Sequence, residues 1–208
     1  MVFEIKQLKI DFKDLENIMD GETYKWHHDV HYAGYVNKRN EIEAELQIVD
    51  KSKSNANYSL FRELKLEETW NANGAVLHEL YWSCIGANSS PDENLAIIKK
   101  INNDFGSFEK WKEDFIAAGK CARGWAVLSI DLFSDKKLRN FIYDVHNQGG
   151  VIGSIPLIVL DVFEHAYYHK FGPDRAKYIV EFVNAINWTK VNETYEKFAE
   201  FAKNIVIK

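Results

Sequence analysis

The sequence predicts an α+β protein in which a long helical hairpin precedes a domain built on a three-stranded antiparallel sheet surrounded by helices. Two observations predict this. Residues 12–86 carry apolar side chains at spacings of three and four and contain no proline, which is typical of amphipathic helices. Three runs of branched and aromatic residues follow between residues 125 and 161, and their short connections favour antiparallel pairing.

The helical part divides into two. A polar break, KSKSNANYS at residues 51–59, separates two long helices, which we expect to pack as an antiparallel hairpin. The composition then changes at GANSSPDEN, residues 86–94, where Pro91 suits a helix start. We therefore predict an N-terminal hairpin domain over residues 1–88 and a C-terminal domain over residues 89–208.

The C-terminal domain has helices on both sides of its strands. Two short helices are predicted over 92–104 and 108–118, the second capped by Ser107 and stopped by Gly119. The strands are WAVLSIDLF, NFIYDVH and IPLIVLD. Two helices close the chain, from Pro173 to Ile186 and from Val191 to Ile205. Helices before and after a short sheet predict the α+β class.

Composition excludes several classes of protein. With 31 acidic and 26 basic residues the net charge of the 208-residue chain is -5, which argues against a nucleic-acid binder. No apolar run approaches the ~20 residues that span a membrane, and the first residues lack the features of a signal peptide. Cys84 and Cys121 fit a reducing compartment. We expect a cytoplasmic protein.

The segment WHHDVHYAGYV is the first candidate for chemistry. His27, His31 and Tyr35 are successive i+4 neighbours on a helix, so their side chains share one stripe. Two histidines four residues apart can hold one metal ion. The alternative is that this segment combines core packing with surface histidines.

Two further segments carry potential metal ligands. His78 lies among apolar residues in NANGAVLHELYW. Taken alone, a histidine in such a segment is more often a buried residue with its hydrogen bonds satisfied than a metal ligand. Asp161 and His165 directly follow the apolar strand IPLIVL, and a buried carboxylate is costly without a partner. The alternative for Asp161 is a helix N-cap.

Together these segments supply three histidines and one aspartate, which suit iron or manganese better than a thiolate zinc site. The chain lacks HExxH, the paired Glu-x-x-His of di-iron bundles, and the P-loop, GxGxxG and GxSxG motifs. The residues therefore indicate either a redox enzyme with a single metal ion or a non-catalytic helical protein.

Five segments in order resemble the iron/manganese superoxide dismutase family, over residues 12–195. The histidine block WHHDVHYAGYV is similar to the family's HHxxHHxxYV, and DVFEHAYY is similar to its DVWEHAYY signature. The segments NANGAVLHELYW, ARGWAVL and the NWxxVxxxY element, which begins at Asn187, complete the resemblance. It implies dismutation of superoxide to O2 and H2O2 at one metal ion per subunit.

The resemblance also implies roles for individual residues. The metal ligands are His27, His78, Asp161 and His165, and the ion lies between the two domains. By the same resemblance, His31 corresponds to a histidine that contacts the ligands but does not bind the metal. Its spacing from His27 would by itself allow both to bind one ion. Tyr35 corresponds to the tyrosine beside the substrate channel. Trp82 and Trp125 correspond to walls of the metal site.

The metal type depends on a glutamine of the outer coordination sphere in this family. Iron enzymes usually carry it at the position of Gly74, whereas manganese enzymes carry it in an Asn-Gln pair that Asn147 and Gln148 match. Because such donors tune the metal potential, Gln148 favours manganese, with iron as the alternative. Gln148 and Tyr35 would form the proton route.

The resemblance implies a homodimer, with a tetramer as the alternative. Glu164 and Tyr168 correspond to residues that meet His165 and His31 of the partner subunit. The expected substrate is superoxide, and no nucleic acid or membrane is expected as a partner. The competing hypothesis is a metal-binding protein on the same scaffold that is not a catalyst.

Several positions depart from the family pattern. Phe163 stands where the signature has Trp, and Tyr32 where many members carry a fourth histidine. Val30 and Asp174 replace frequent basic residues, which leaves Arg175 as the expected cation at the channel mouth. Since positive charge attracts the superoxide anion, we expect steering that is weaker and less sensitive to salt than in typical members of the family.

Overall fold

A helical hairpin forms the first part of the chain. The structure, a computed structural model, describes residues 2–87 and 90–203. Helix α1 (Gly21–Trp26) continues through a π-helical segment (His27–Tyr32) into α2 (Ala33–Ile48), and α3 (Leu60–Ser83) packs against α2. The break predicted at residues 51–59 contains only a short 3-10 turn at Lys51–Lys53. The predicted helical hairpin is confirmed.

A three-stranded sheet organises the second part. Its strands β1 (Trp125–Asp131), β2 (Leu138–Tyr143) and β3 (Ser154–Asp161) are antiparallel in the order β2-β1-β3. The surrounding helices are α4 (Ala96–Phe105), α5 (Phe108–Cys121), α6 (Glu164–Phe171), α7 (Arg175–Asn184) and α8 (Trp188–Lys203). The predicted fold class is therefore confirmed.

The sheet also sets the position of the candidate site. Every residue of β1 is buried, and α5 packs against β1 while α3 and α8 pack against β3. The antiparallel register places Trp125, the first residue of β1, opposite Asp161, the last residue of β3. Because α3 comes from the hairpin, this end of the sheet lies where the two parts of the chain meet.

Three local expectations were wrong. Residues 12–20 form a 3-10 turn at Phe12–Asp14 instead of an α-helix, and α1 begins only after Asp20, which caps it. Gly119 does not end α5, which continues to Cys121. The glycine instead allows close packing against β3, because a Cβ at this position would lie 3.0 Å from Leu160. Pro91 precedes a turn, and α4 begins at Ala96.

Two expectations lie outside the described residues: the boundary between residues 88 and 89, and the end of the last helix at Ile205. Among the described helices, none combines the length and the apolar composition that would let it cross a membrane.

Candidate metal centre

Four side chains from both parts of the chain meet at the end of the sheet. His27 comes from the π-helical segment, His78 from α3, Asp161 from the end of β3 and His165 from the first turn of α6. One potential ligand atom of each lies within 4.8 Å of those of the others. His27, His78 and Asp161 are fully buried. These are the four ligands that the family resemblance implies.

Local structure explains how Asp161 and His165 reach the same point. The backbone N–H of Phe163 donates to Asp161 Oδ1 at 2.8 Å, which turns the chain from β3 into α6. The second carboxylate oxygen, Oδ2, then faces the interior. His165 lies in the first turn of α6, one helical turn from the end of β3, and its imidazole reaches Oδ2.

Three imidazoles converge on this one oxygen. The Nε2 atoms of His27 and His165 each lie 3.2 Å from Asp161 Oδ2, and that of His78 lies 3.7 Å away. Three nitrogens and one carboxylate oxygen form a donor set suited to iron, manganese or zinc.

The tautomer of His78 shows that these residues fit a cation. Its Nδ1 donates to the backbone oxygen of Gly74 at 2.6 Å, so in the neutral ring Nε2 carries a lone pair. This Nε2 is buried and has no hydrogen-bond partner within the described part of the chain, yet it faces Asp161 Oδ2. Two lone pairs that face each other in a buried site are satisfied by a cation placed between them.

The protonation states agree with this interpretation. Burial lowers the pKa of His27 to about 4 and that of His78 well below its usual value. Burial alone would raise the pKa of Asp161, but the charge and hydrogen bond of His165 and those of His27 hold it well below its usual range. A histidine that binds a metal ion does so as the neutral imidazole, so as a ligand set these residues would contribute one negative charge, from Asp161.

His146 is a residue of this site that the sequence analysis did not single out. It is buried, and its Nδ1 accepts a hydrogen bond from Trp125 Nε1 at 3.0 Å. Because the indole N–H can only donate, Nε2 of the neutral imidazole carries the proton and donates to the Tyr35 hydroxyl at 2.7 Å. Burial lowers the pKa of His146 to about 4, which keeps the ring neutral.

Gln148, which the family pattern would place beside the metal, has an exposed side chain in this structure. Its backbone pairs with Val145 across a turn that Gly149 completes with a φ of +111°. The turn instead directs His146, two residues earlier, toward Tyr35. The sequence signal was a histidine one residue before the Asn-Gln pair, close to the end of a predicted strand.

The structure places the other expected residues around the four ligands. His31 stacks on His165 with ring centroids 4.1 Å apart and is not in the ligand cluster. The ring centroids of Trp82 and His27 are 5.1 Å apart, as are those of Trp125 and His78. Phe163, in place of the family's Trp, stacks parallel to His165 at 5.7 Å.

Charged side chains line a surface hollow beside His165. Glu164, Arg175 and Arg123 line it together with His165. The Arg175 guanidinium donates to two backbone carbonyls at the end of α5, those of Lys120 and Ala122, and among the described residues no ion pair of Arg175 is recorded. Arg123 is a second cation that the sequence analysis missed, 3.9 Å from Asp144.

Asp174 and Tyr32, which also depart from the family pattern, each make a local hydrogen bond, whereas Val30 and Tyr168 are exposed on the surface. Asp174 caps α7 by accepting from the backbone N–H of Lys177, and Tyr32 donates to Glu79 at 2.9 Å. Val30 and Tyr168 are exposed, at 58% and 50% of their accessible surface.

Comparisons with known proteins agree with this geometry. The family model for the alpha-hairpin domain of iron/manganese superoxide dismutases matches residues 2–86, and that for the C-terminal domain matches residues 92–194. The chain is 43% identical over 188 residues to the superoxide dismutase [Fe] of Aquifex aeolicus, which covers 89% of this chain and 87% of that protein. It is 35% identical over 200 residues to superoxide dismutase [Mn] 2 of Haloferax volcanii, covering 96% and 98% of the two chains. The chain therefore belongs to the iron/manganese superoxide dismutase family.

Proposed function

We propose that this protein is a homodimeric superoxide dismutase that holds one manganese or iron ion between His27, His78, Asp161 and His165. Two superoxide anions and two protons give one O2 and one H2O2, so an electron must be taken from one anion and given to the next. The observation that carries the proposal is the convergence of three imidazole Nε2 atoms on Asp161 Oδ2.

A manganese or iron ion in this cluster supplies the redox couple that accepts the electron and returns it. The residues of the chain determine the charge around it. Three neutral imidazoles and one carboxylate contribute a single negative charge, so a site that holds a divalent or trivalent ion stays positive. This favours the approach of an anion to a buried site that otherwise carries few charges.

Tyr35 and His146 deliver protons in this proposal. Because His146 Nε2–H donates to the Tyr35 hydroxyl, the hydrogen of that hydroxyl is directed away from His146 and toward an acceptor at the site. Burial raises the pKa of Tyr35 to about 12, so the hydroxyl keeps its proton at neutral pH. Tyr35 is therefore a hydrogen-bond donor to the reacting oxygen species, in a position fixed by His146.

The proposal extends to either metal because the argument for manganese rested on Gln148. With His146 at Tyr35 in its place, that argument no longer separates manganese from iron. The two relatives described above are named for iron and for manganese. Reconstitution of the metal-free protein with each metal, followed by activity per bound ion, separates the two.

Exposed apolar side chains support the homodimer. Trp26 on α1, Val30 on the π-helical segment and Tyr168 on α6 keep 44%, 58% and 50% of their surface exposed. Helix α1 packs against both of these elements, so the three side chains belong to one region of the surface, which also carries His31 and His165. Large apolar groups of this kind are typical of an interface. Sedimentation of the purified protein tests whether it is a dimer or a tetramer.

A cytoplasmic location is also part of the proposal. Both cysteines are free, Cys84 in the core and Cys121 on the surface, which fits a reducing compartment. Fractionation of the cells that produce the protein tests this location.

The central experiment measures superoxide decay by stopped flow, at known metal content, for the wild type and for Asp161→Ala and His165→Ala. We expect both variants to lose metal and activity. His169→Ala is the control, because this exposed histidine lies one turn after His165 but outside the cluster. A metal-replete wild type without activity would instead identify a non-catalytic metal-binding protein on the same scaffold.

A further inference from the structure

Helix α3 presents three residues to the metal centre, spaced four apart. His78 is one of the four clustered side chains. Gly74 lies against the ring of Tyr35, where a Cβ would come within 2.7 Å of Tyr35 Cδ1. Trp70 packs on His146 with ring centroids 4.6 Å apart and planes at 63°. Positions four apart share one face of a helix, so Trp70 extends the face that carries His78.

Contacts around the His146 ring give Trp70 a particular importance. Two hydrogen bonds, from Trp125 and to Tyr35, act at the two nitrogens of the ring. The ring lies 4.6 Å from Trp70, 4.7 Å from Tyr35 and 5.1 Å from Phe163, measured between ring centroids, and Trp125 and His78 are more distant, at 5.8 and 6.2 Å. The Trp70 contact is the shortest of these, and Trp70 has no other role in the site.

The backbone that carries His146 has little support of its own. It follows the end of β2 at Tyr143 and belongs to no strand or helix. Three recorded contacts join it to α3: the ring of Trp70 with His146 at 4.6 Å, the ring of His78 with His146 at 6.2 Å, and a hydrogen bond of 2.8 Å from Asn147 Nδ2 to Thr69 Oγ1. The Asn147 bond is exposed to water, which weakens it. The half-buried indole of Trp70 is closer to His146 than the His78 ring is, and is therefore the firmest of these attachments.

We propose that Trp70 is a positioning residue for dismutation: its indole holds the His146 ring where Nε2–H donates to the Tyr35 hydroxyl. This inference rests on the proposed function, because it concerns a step of the same reaction. Trp70 is not one of the four clustered side chains, so in this proposal it acts through His146. Loss of the indole leaves a gap on one side of the imidazole, into which the ring and its loop move, and the hydrogen bond to Tyr35 weakens.

A double-mutant cycle tests this route of action. The second-order rate constant of superoxide decay, per bound metal ion, is measured for the wild type, Trp70→Ala, His146→Leu and the double variant. A displacement of about 1 Å at a reacting group can cost up to roughly a hundredfold in rate, so we expect Trp70→Ala to lose about tenfold or more. In the His146→Leu background, the same change is expected to cost less than about twofold, because the residue it positions is gone.

Conservative replacement and a matched control separate positioning from stability. Trp70→Phe keeps an aromatic ring against His146 and is expected to retain most of the rate, whereas Trp70→Leu fills the space without a ring and is not. These two variants carry the test if Trp70→Ala does not fold. Leu64→Ala is the control: Leu64 is a buried residue of α3 that packs against Ile42 and Leu46, away from His146. We expect it to lower stability without changing the rate per metal ion.

Two results would overturn the proposal. One is a rate per metal ion that stays the same in Trp70→Ala or Trp70→Leu. The other is a loss of equal size in the wild-type and His146→Leu backgrounds, which means that Trp70 acts independently of His146. Either result, obtained with an active wild type, leaves the dismutase function intact, whereas an inactive wild type contradicts the proposed function itself.

Discussion

His78 Nε2 lies 3.7 Å from Asp161 Oδ2, and neither atom carries a proton when the His78 ring is neutral. The Gly74 carbonyl accepts the only proton of that ring, at Nδ1. The chain thus holds two acceptors face to face in its interior, where an unpaired polar group is costly. This contact ties the stability of the fold to a bound cation.

Metal removal is therefore expected to lower the stability of the protein. A metal present at a hundred times its dissociation constant adds about 2.7 kcal/mol to the free energy of unfolding. We expect the melting temperature to fall when the ion is chelated and to recover when it is returned. In Asp161→Asn the melting temperatures with and without metal should be nearly equal. Calorimetry of both proteins with and without metal measures this, and an equal metal response in Asp161→Asn would contradict it.

Replacing His146 and Gln148 in turn tests which side chain serves Tyr35. His146→Leu removes the donor to the Tyr35 hydroxyl and the acceptor for Trp125. Positioned proton transfer contributes roughly a hundredfold to ten-thousandfold, and His146 acts through Tyr35, so we expect a loss of at least about tenfold in rate. Gln148→Ala changes an exposed side chain and is expected to alter the rate less than about twofold. Stopped-flow rates per metal ion give both values, and the opposite order would restore the role first expected for Gln148.

Gly74→Ala is expected to destabilise the protein and slow the reaction. Alanine is normally the better helix former by about 1 kcal/mol, but here its Cβ would meet the Tyr35 ring at 2.7 Å. Overpacking of this kind costs roughly 1–3 kcal/mol and displaces Tyr35. Gly34→Ala on α2 is the matched control, since nothing lies within 4 Å of its Cβ. Denaturant unfolding should show the control stabilised and Gly74→Ala destabilised; stabilisation of both would refute the clash.

An exposed histidine gives a pH-dependent contribution to stability. His169 on α6 meets Asp20 at 2.7 Å and Glu22 at 3.3 Å, and the hydrogen bond and charge of Asp20 raise the pKa of His169. Because the folded pKa lies above the unfolded value of about 6.5, this contribution is fully present below about pH 6.5. It is lost as the pH rises through the folded pKa.

We therefore expect His169→Ala to lower the melting temperature near pH 6 and to have little effect near pH 9. Glu22→Gln removes one of the two negative charges beside His169 without touching the Asp20 cap of α1, so its effect near pH 6 should be smaller. Thermal scans of the three proteins at both pH values measure the difference. A destabilisation that is the same at both pH values would mean that packing, and not the ion pair, is responsible.

The periodic parts of the sequence predicted the fold well. The hairpin helices and the three strands have repeating patterns, and packing in the folded chain follows those patterns. Prediction was poorest where one residue decides a boundary. Gly119 predicted the end of a helix, yet α5 continues to Cys121, and the position holds glycine because Leu160 of β3 packs closely there and leaves little room for a larger residue.

The ligand cluster was also predictable, because each ligand lies in a segment with a recognisable motif and the four meet as expected. His146 and Trp70 were not predictable. His146 follows β2 in a turn without periodicity, where a shift of one or two residues decides which side chain points inward. In the sequence, Trp70 is one aromatic residue among several in a helix, and its contact with His146 is visible only in the folded chain.

The sequence by itself determined the fold class, the four clustered side chains and the family, because these depend on patterns and motifs that are local in the chain. Only the tertiary structure decided that His146, and not Gln148, bonds Tyr35, and that the bare nitrogen of His78 faces Asp161. Both outcomes depend on turn geometry and on contacts between residues more than 80 positions apart, such as the hydrogen bond between Tyr35 and His146. No local pattern encodes such contacts, since they form only when helix α3, the hairpin and the sheet pack together.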